Sequence, residues 1–422
     1  MIIGERVQGS ALAPPTSPQA LSIASLRYRL IVYAACTAAT LIANYLLGKD
    51  LAWDTLNYHL YAGFSALNDR FAQDYFAAGA PSYFNPYAYV PFYAMVHTGL
   101  SSLTISSIFA LVHSVIFWLT FELALCVCPS NDRLPRLIFG ICAIILAAVN
   151  PILIQQIGST FADITTAELL LGGWLLLAQA VSAPTRARVI CAGLLLGVAT
   201  ALKPTNSVHA ISAFALFIMF PLDLWGRLRQ GIVCGLSAGA GFAIVAAPWS
   251  YSLYRMFGNP MFPLMNNVFR SPEFTTEPLR HFRFIPFSLG EALWRPFAIV
   301  DPVRMVQEEL SSPDLRYAVL VVLVFVLIVR WGWRRFSRRP KLPTAEGSIV
   351  SGRVLAALGC GFGVDWVMWL SASGNGRYFL PMACIASVLP RLRCWCPERR
   401  RQSAETMQNF TQSMPRAIIF SR

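Results

Sequence analysis

RYRLIVYAACTAATLIANYLLGKDLAWD, residues 27 to 54, sets the architecture of the chain. Two arginines, Arg27 and Arg29, precede an apolar run from Leu30 to Leu47, and the run ends on Gly48, Lys49 and Asp50 before Trp53 and Asp54. About twenty apolar residues in a helix rising ~1.5 Å each cross a hydrocarbon core roughly 30 Å thick. The run exceeds the ~7 to 15 residue core of a signal peptide, and no A-x-A cleavage site follows it. It reads as an uncleaved first span with the amino terminus inside.

The rest of the 422 residues repeats that pattern. The chain is 56% hydrophobic and 13% charged, whereas soluble domains are roughly 25% charged, so a water-soluble globular protein is excluded. Lipid cannot satisfy an open strand edge, and the expected fold is all-α, a polytopic transmembrane helix bundle. Further spans are expected at 102–128, 137–156, 164–182, 189–203, 206–222, 231–249, 315–333, 350–370 and 377–391, about ten in all. Pro204 divides one long apolar stretch, and 88–101 can lie in the interface or cross, so the count stays open by one or two.

Net charge is +13, from 34 Lys plus Arg against 21 Asp plus Glu. Only Lys49, Lys203 and Lys341 are lysines; the arginines sit in short connectors such as Arg186 to Arg188, Arg227 to Arg229, Arg330 to Lys341 and Arg391 to Arg401. All of these fall on one expected side, as positive-inside loops do. Topology accounts for the charge, nucleic acid is not an expected partner, and both termini are expected in the cytoplasm. Residues 1–25 read as a disordered leader, 26–395 as a single membrane domain and 396–422 as a basic tail.

The ten cysteines lie in apolar runs or beside basic clusters, and none falls in a long polar loop, so no disulfide framework is expected. Cys394 and Cys396 stand in the basic tail without a second ligand pair. The five histidines form no H-E-x-x-H, so no metal ligand set is assigned. No phosphate-binding glycine motif indicates nucleotide use.

Two long loops, 49–87 and 250–314, are expected together on the outer face. They are rich in Trp, Tyr, Phe and Pro, which suits interfacial anchoring rather than disorder, and loops of that length commonly carry function. In WDTLNYHLYAGFSALND, Asp54, Asn57 and Tyr61 are spaced to share one helix face, with His59 between them and Asn85 further on. Asp54 reads as a catalytic acid or as a helix cap; the two roles do not exclude each other. Asp163, in IGSTFADITTAELL, is open in the same way, at a helix start suited to phosphate. Lys203 in ALKPTN and Arg377 with Tyr378 in SGNGRYFLP are cations on the side where the positive-inside bias requires none. Each fits a phosphate contact or a snorkelling anchor. Glu122, Glu168 and Asp365 are intramembrane carboxylates that call for a partner or a cavity.

These segments, with FNPYAYVPFY, GNPMFPLMN and the terminal RYFLP, resemble bacterial members of the GT-C glycosyltransferase superfamily, integral membrane enzymes similar to the protein mannosyltransferases and aminoarabinose transferases. The resemblance implies transfer of a sugar from a polyprenyl-phosphate donor, as lipid-linked co-substrate, on the periplasmic face of the inner membrane. It implies Asp54 as the catalytic base of the first outer loop, and Arg377 with Tyr378 as the late R-Y-x-x-P. Asp163 is the second catalytic candidate, and Asn57, His59, Asn85, Lys203, Arg377 and Tyr378 are the substrate-binding candidates. The acceptor is an envelope glycan, lipid or protein. Many members carry two adjacent acids where this chain has Asp54 and Thr55, which leaves divalent-cation use open. A soluble carboxy-terminal domain found in many members is not seen in this sequence. The alternative is a multispan transporter or lipid-linked glycan flippase without transferase activity, using the intramembrane carboxylates.

Overall fold

The computed structural model describes residues 23–390 apart from 49, 69, 71–72, 131, 278–281 and 337–345. Most of the expected leader and the whole expected tail, with Cys394 and Cys396, lie outside the described residues. Every regular element among the described residues is helical. In chain order they are α1 (Ile23–Leu47), α2 (Leu60–Asn68), α3 (Val90–His97), α4 (Ser102–His113), α5 (Val115–Val127), α6 (Arg133–Ala148), α7 (Pro151–Gln156) and α8 (Ala162–Ser182). Then come α9 (Arg186–Leu202), α10 (Ser207–Ser212), α11 (Leu224–Phe257), α12 (Asn266–Phe269), α13 (Leu289–Ala298), α14 (Arg316–Phe336), α15 (Glu346–Ala372) and α16 (Leu380–Val388).

Six stretches among the described residues are long and apolar enough to cross a membrane: Leu26–Leu47, Ser102–Val127, Ala162–Ser182, Leu224–Phe257, Arg316–Trp333 and Ile349–Ala372. The second joins α4 to α5 through Ser114. Helices α6 and α9, at 16 and 17 residues, are short for a full crossing. Other expected spans are interrupted for local reasons. The 137–156 stretch breaks where Asn150 caps α7, its side chain accepting from Leu153 N at 2.9 Å, with Pro151 as the first helical residue. The 206–222 stretch becomes a 3-10 turn at Pro204–Asn206, then α10, then a second 3-10 segment at Ala213–Met219. Proline lacks the N–H that would continue α9 through this point.

Helices α5, α8 and α16 form the centre, with Phe121, Leu123, Leu170, Leu171, Trp174, Met382 and Ile385 almost wholly buried. Helix α14 and the outer face of α11 leave Leu236, Ile244, Phe325, Leu327 and Ile328 exposed, an apolar perimeter that suits lipid. Helices α9 and α11 approach through glycines. A Cβ on Gly197 would stand 2.0 Å from the Ala238 carbonyl oxygen, and one on Gly241 would stand 2.5 Å from that of Leu194. Small residues at such an interface bring two backbones close enough for dense dispersion contact, the main attraction between helices in lipid.

The intramembrane carboxylates have partners. Glu122 pairs with Arg29 at 3.1 Å, Glu168 accepts from Ile116 N at 3.2 Å, and Asp365 meets His209 at 2.9 Å. The buried Arg316 pairs with Asp314 and also donates to the Ala383 carbonyl. Burying a charge in a low-dielectric interior is costly without such compensation.

The two long loops fold onto each other at one end of the bundle. Trp249 Nε1 donates to the Tyr83 carbonyl at 2.9 Å, and the Tyr75 hydroxyl donates to that of Glu273 at 3.0 Å. Phe257 stacks on Phe262 with centroids 3.9 Å apart, and Phe76 stacks on Phe274. Aromatic burial and offset ring geometry here replace the missing regular structure.

Candidate functional site

Five chain segments converge at the loop-bearing end. The first follows α1, where Asp50 rather than Asp54 carries the local structure. Asp50 accepts from Ala52 N at 3.0 Å, from the Thr55 hydroxyl at 2.6 Å and from Thr160 N at 3.0 Å. It thereby fastens the start of loop one to the connector before α8. Residues Thr55–His59 wind as a π-turn. That wider turn rotates the register, and the expected common face of Asp54, Asn57 and Tyr61 is not formed. Tyr61 turns to Asp74, whereas Asp54 turns to Arg377. Asn57 is half-buried on the turn.

The Asp54 carboxylate makes no capping bond. One oxygen instead accepts from Arg377 Nη2 at 3.2 Å. Asp163, in the first turn of α8, does not cap its helix either. One of its oxygens takes Lys203 Nζ, and the other lies 3.6 Å from Arg377 Nη2 with no hydrogen-bond partner. Capping, the bland reading of both acids, is therefore not what these side chains do.

Lys203 reaches Asp163 because Pro204 ends α9 and leaves Lys203 extended, with φ −146° and ψ 104°. Its ammonium stands 4.6 Å from the centroid of the Tyr378 ring, and the Arg377 guanidinium stands 4.3 Å from that of Phe161. Both are cation–π distances. Arg377 sits on a 3-10 turn, Gly376–Phe379, opened by Asn375, whose side chain accepts from Arg377 N at 2.9 Å. The glycines of SGNGRYFLP have steric reasons. Gly374 has φ +62° and a Cβ there would lie 2.1 Å from the Phe284 carbonyl oxygen, while one on Gly376 would lie 2.6 Å from Ile152.

His59 forms the floor of the cluster. Its Nδ1 is 2.7 Å from the Thr160 hydroxyl, its ring stacks on Tyr89 at 4.4 Å, and Phe161 meets it edge-on at 5.2 Å. Nε2 is buried without a partner. Burial, with Lys203 and Arg377 nearby, pushes the imidazole down to about 3, so it is neutral and offers a lone pair or an N–H according to tautomer.

Loop two contributes a residue the sequence reading did not single out. Gln307 accepts from Gly376 N through its carbonyl at 2.6 Å, which places Glu308 where the Arg377 charge acts on it. Glu308 is 5% exposed and one carboxyl oxygen has no partner. Burial, reinforced by hydrogen bonding with Glu309, pushes its carboxyl up to about 8. The visible signal was the doublet of acids at 308 and 309 within an otherwise aromatic loop. Asn85, by contrast, is not drawn into the cluster. It accepts from Tyr87 N at 3.0 Å and reaches the Val245 carbonyl at 3.5 Å, bracing loop one against α11.

The outcome is two cations interleaved with two carboxylates, around which buried polar atoms of Asp163, Arg377, Glu308 and His59 lack hydrogen-bond partners. Such preorganised groups can stabilise an incoming anion and accept a proton beside it. They fit a divalent cation poorly: both acids already face a cation, and among the described residues no three His, Cys, Asp or Glu side chains gather to hold a metal.

No family model matches the chain, and no curated protein matches it. Among solved structures, the chain is similar to ArnT from Cupriavidus metallidurans bound to undecaprenyl phosphate, at 15% identity and a TM-score of 0.48, the match covering 91% of this chain and 63% of that one.

Proposed function

We propose that the chain is a membrane glycosyltransferase that takes a sugar from a polyprenyl-phosphate donor and passes it to an envelope glycan, lipid or protein acceptor on the outer face of the bacterial inner membrane. One observation supports the reading above others. Arg377 stands between Asp54 and Asp163, at 3.2 and 3.6 Å, with Lys203 on the far side of Asp163. Glycosyl transfer needs these two capacities side by side, a base for the acceptor and positive charge for the leaving phosphate.

In the proposed reaction the donor phosphate engages Arg377 and Lys203. Asp54 takes the proton of the acceptor hydroxyl as its oxygen bonds to the anomeric carbon. The bond from that carbon to the phosphate oxygen breaks, and the departing polyprenyl phosphate keeps the electron pair. Asp163 holds Lys203 in place, and Tyr378 and Phe161 cover the two cations with apolar rings, which excludes water and strengthens the charges. No step runs through a metal. The transporter alternative rests on Glu122, Glu168 and Asp365, each of which has a partner within the bundle.

The test is transfer of radiolabelled sugar from a panel of polyprenyl-phosphate donors into membranes carrying the wild type or Asp54→Asn. Transfer by the wild type, reduced by about 10² to 10⁴ in the variant, supports the reading. Absence of transfer from every donor by a correctly inserted wild type, or full transfer by Asp54→Asn, overturns it.

A further inference from the structure

The mechanism above does not use the most deeply buried ionisable pair near the site. His209, on α10, and Asp365, on α15, have side chains 1% and 0% exposed. His209 Nδ1 lies 3.0 and 2.9 Å from the two Asp365 oxygens, and Nε2 lies 2.6 Å from the Tyr378 carbonyl oxygen. A carbonyl only accepts, so Nε2 must carry a proton and donate it. That commitment leaves Nδ1 and the Asp365 carboxyl to share a proton between them. Ser212, one helical turn beyond His209, holds the second carboxyl oxygen at 2.5 Å.

The placement matters more than the burial. His209 belongs to the short helix that begins just after Lys203 and Pro204, while the carbonyl it holds belongs to the residue after Arg377. One imidazole thus ties together the two segments that supply the two cations. Other bonds hold the 374–379 turn from elsewhere: Trp369 Nε1 donates to the Asn375 carbonyl at 2.7 Å, and Gly376 N donates to Gln307. Neither of these reaches the segment bearing Lys203.

We infer that Asp365 and His209 form a positioning pair that sets the distance between Lys203 and Arg377 by clasping the Tyr378 carbonyl. The inference rests on the phosphate reading of those cations and adds what holds them at spacing. Neither residue touches substrate; both act through Tyr378. A purely architectural pair would instead pin α10 to α15, and its loss would lower overall stability without a local effect on the 374–379 turn.

Leucine and asparagine at position 365 separate the two roles. Leu is apolar and suits the interior, but cannot orient the imidazole. Asn can donate its amide N–H to Nδ1 and so retain the Nε2–H form. The full-length protein in nanodiscs is assayed for binding of farnesyl phosphate against farnesol, and for hydrogen exchange of the 374–379 amides without ligand. Asp365→Leu and His209→Leu are each expected to accelerate that exchange and to weaken farnesyl phosphate binding about tenfold, the scale of one charge-assisted hydrogen bond. The double variant is expected to be no worse than either single one, since both cut the same link, and Asp365→Asn is expected to stay near wild type.

Unchanged exchange at 374–379 in the leucine variants, or additive losses in the double variant, overturns the clasp. If the leucine variants do not insert, Ser212→Ala loosens the same carboxylate, and unchanged exchange there overturns it equally. Equal binding of farnesol and farnesyl phosphate by the wild type would instead sink the phosphate reading, and the exchange measurement would still decide whether the pair positions the turn.

Discussion

Arg377 and Asp54, separated by 323 positions in the chain, meet at 3.2 Å. The contact joins the turn after α15 to the first outer loop, and it leaves Arg377 Nε without a partner. The guanidinium therefore retains hydrogen-bonding capacity while already oriented by two carboxylates.

Arg377→Lys is expected to raise the donor KM about tenfold with a smaller fall in kcat. A lysine supplies charge but neither the planar fork nor the face that covers Phe161. Steady-state transfer kinetics over a donor concentration series check this, and an unchanged KM would remove Arg377 from the phosphate site.

Asp163→Asn leaves Lys203 half-buried without its counter-charge. Breaking one side of a buried pair costs about 3 kcal/mol, so thermal unfolding in detergent is expected several degrees lower. Asp163→Leu combined with Lys203→Met is expected to recover most of the loss, because both charges then leave together. A double variant as unstable as the single one would show that Lys203 is not what Asp163 holds.

Glu308 titrates with a pH consequence. Its carboxyl, raised to about 8, is protonated and neutral at pH 7; above pH 8 it becomes an anion close to the proposed phosphate site. Donor binding is therefore expected to weaken as pH rises through about 8. Glu308→Gln, neutral throughout, is expected to lose this alkaline limb and keep its affinity to higher pH. Parallel titration curves for the two proteins would count against the assignment.

Gly374→Ala is expected to destabilise the turn that carries Arg377, by about 1 to 3 kcal/mol for the positive φ alone, with the contact to the Phe284 carbonyl adding to it. Gly197→Leu should be worse, since its side chain would enter the α11 backbone at Ala238. Detergent-solubilised yield and melting temperature check both substitutions. A Gly197→Leu protein with wild-type yield would contradict the close α9 to α11 approach.

Helical class and the apolar stretches were legible because hydropathy and arginine placement act over whole segments. Asp54, Asp163, Lys203 and Arg377 were each legible as polar groups out of place, but no local spacing announces that Arg377 lies between Asp54 and Asp163. That pairing depends on which helix ends share one side. The common face of Asp54, Asn57 and Tyr61 was not legible because a π-turn follows Asp54, and nothing in the sequence shows that Asn85 lies against α11. Glu308 and His209 went unread as site residues. Glu308 meets the Arg377 charge only in the fold, and His209 showed only as a histidine after the Lys203 turn, its partners Asp365 and Tyr378 lying 156 and 169 positions away. The interruptions at Asn150 and Pro204 were marked by their residues, yet an apolar count runs straight through them.

The separation of Asp54 from Arg377 also bears on biogenesis. A ribosome feeding this chain into the membrane delivers Asp54 soon after the first helix and Arg377 only after α15. Until then the acid waits beside water with no cation to orient it, and a chain stalled midway holds half a site. The arrival of the 374–379 turn is thus what assembles the cluster, so fragments that stop short of it would hold Asp54 without Arg377.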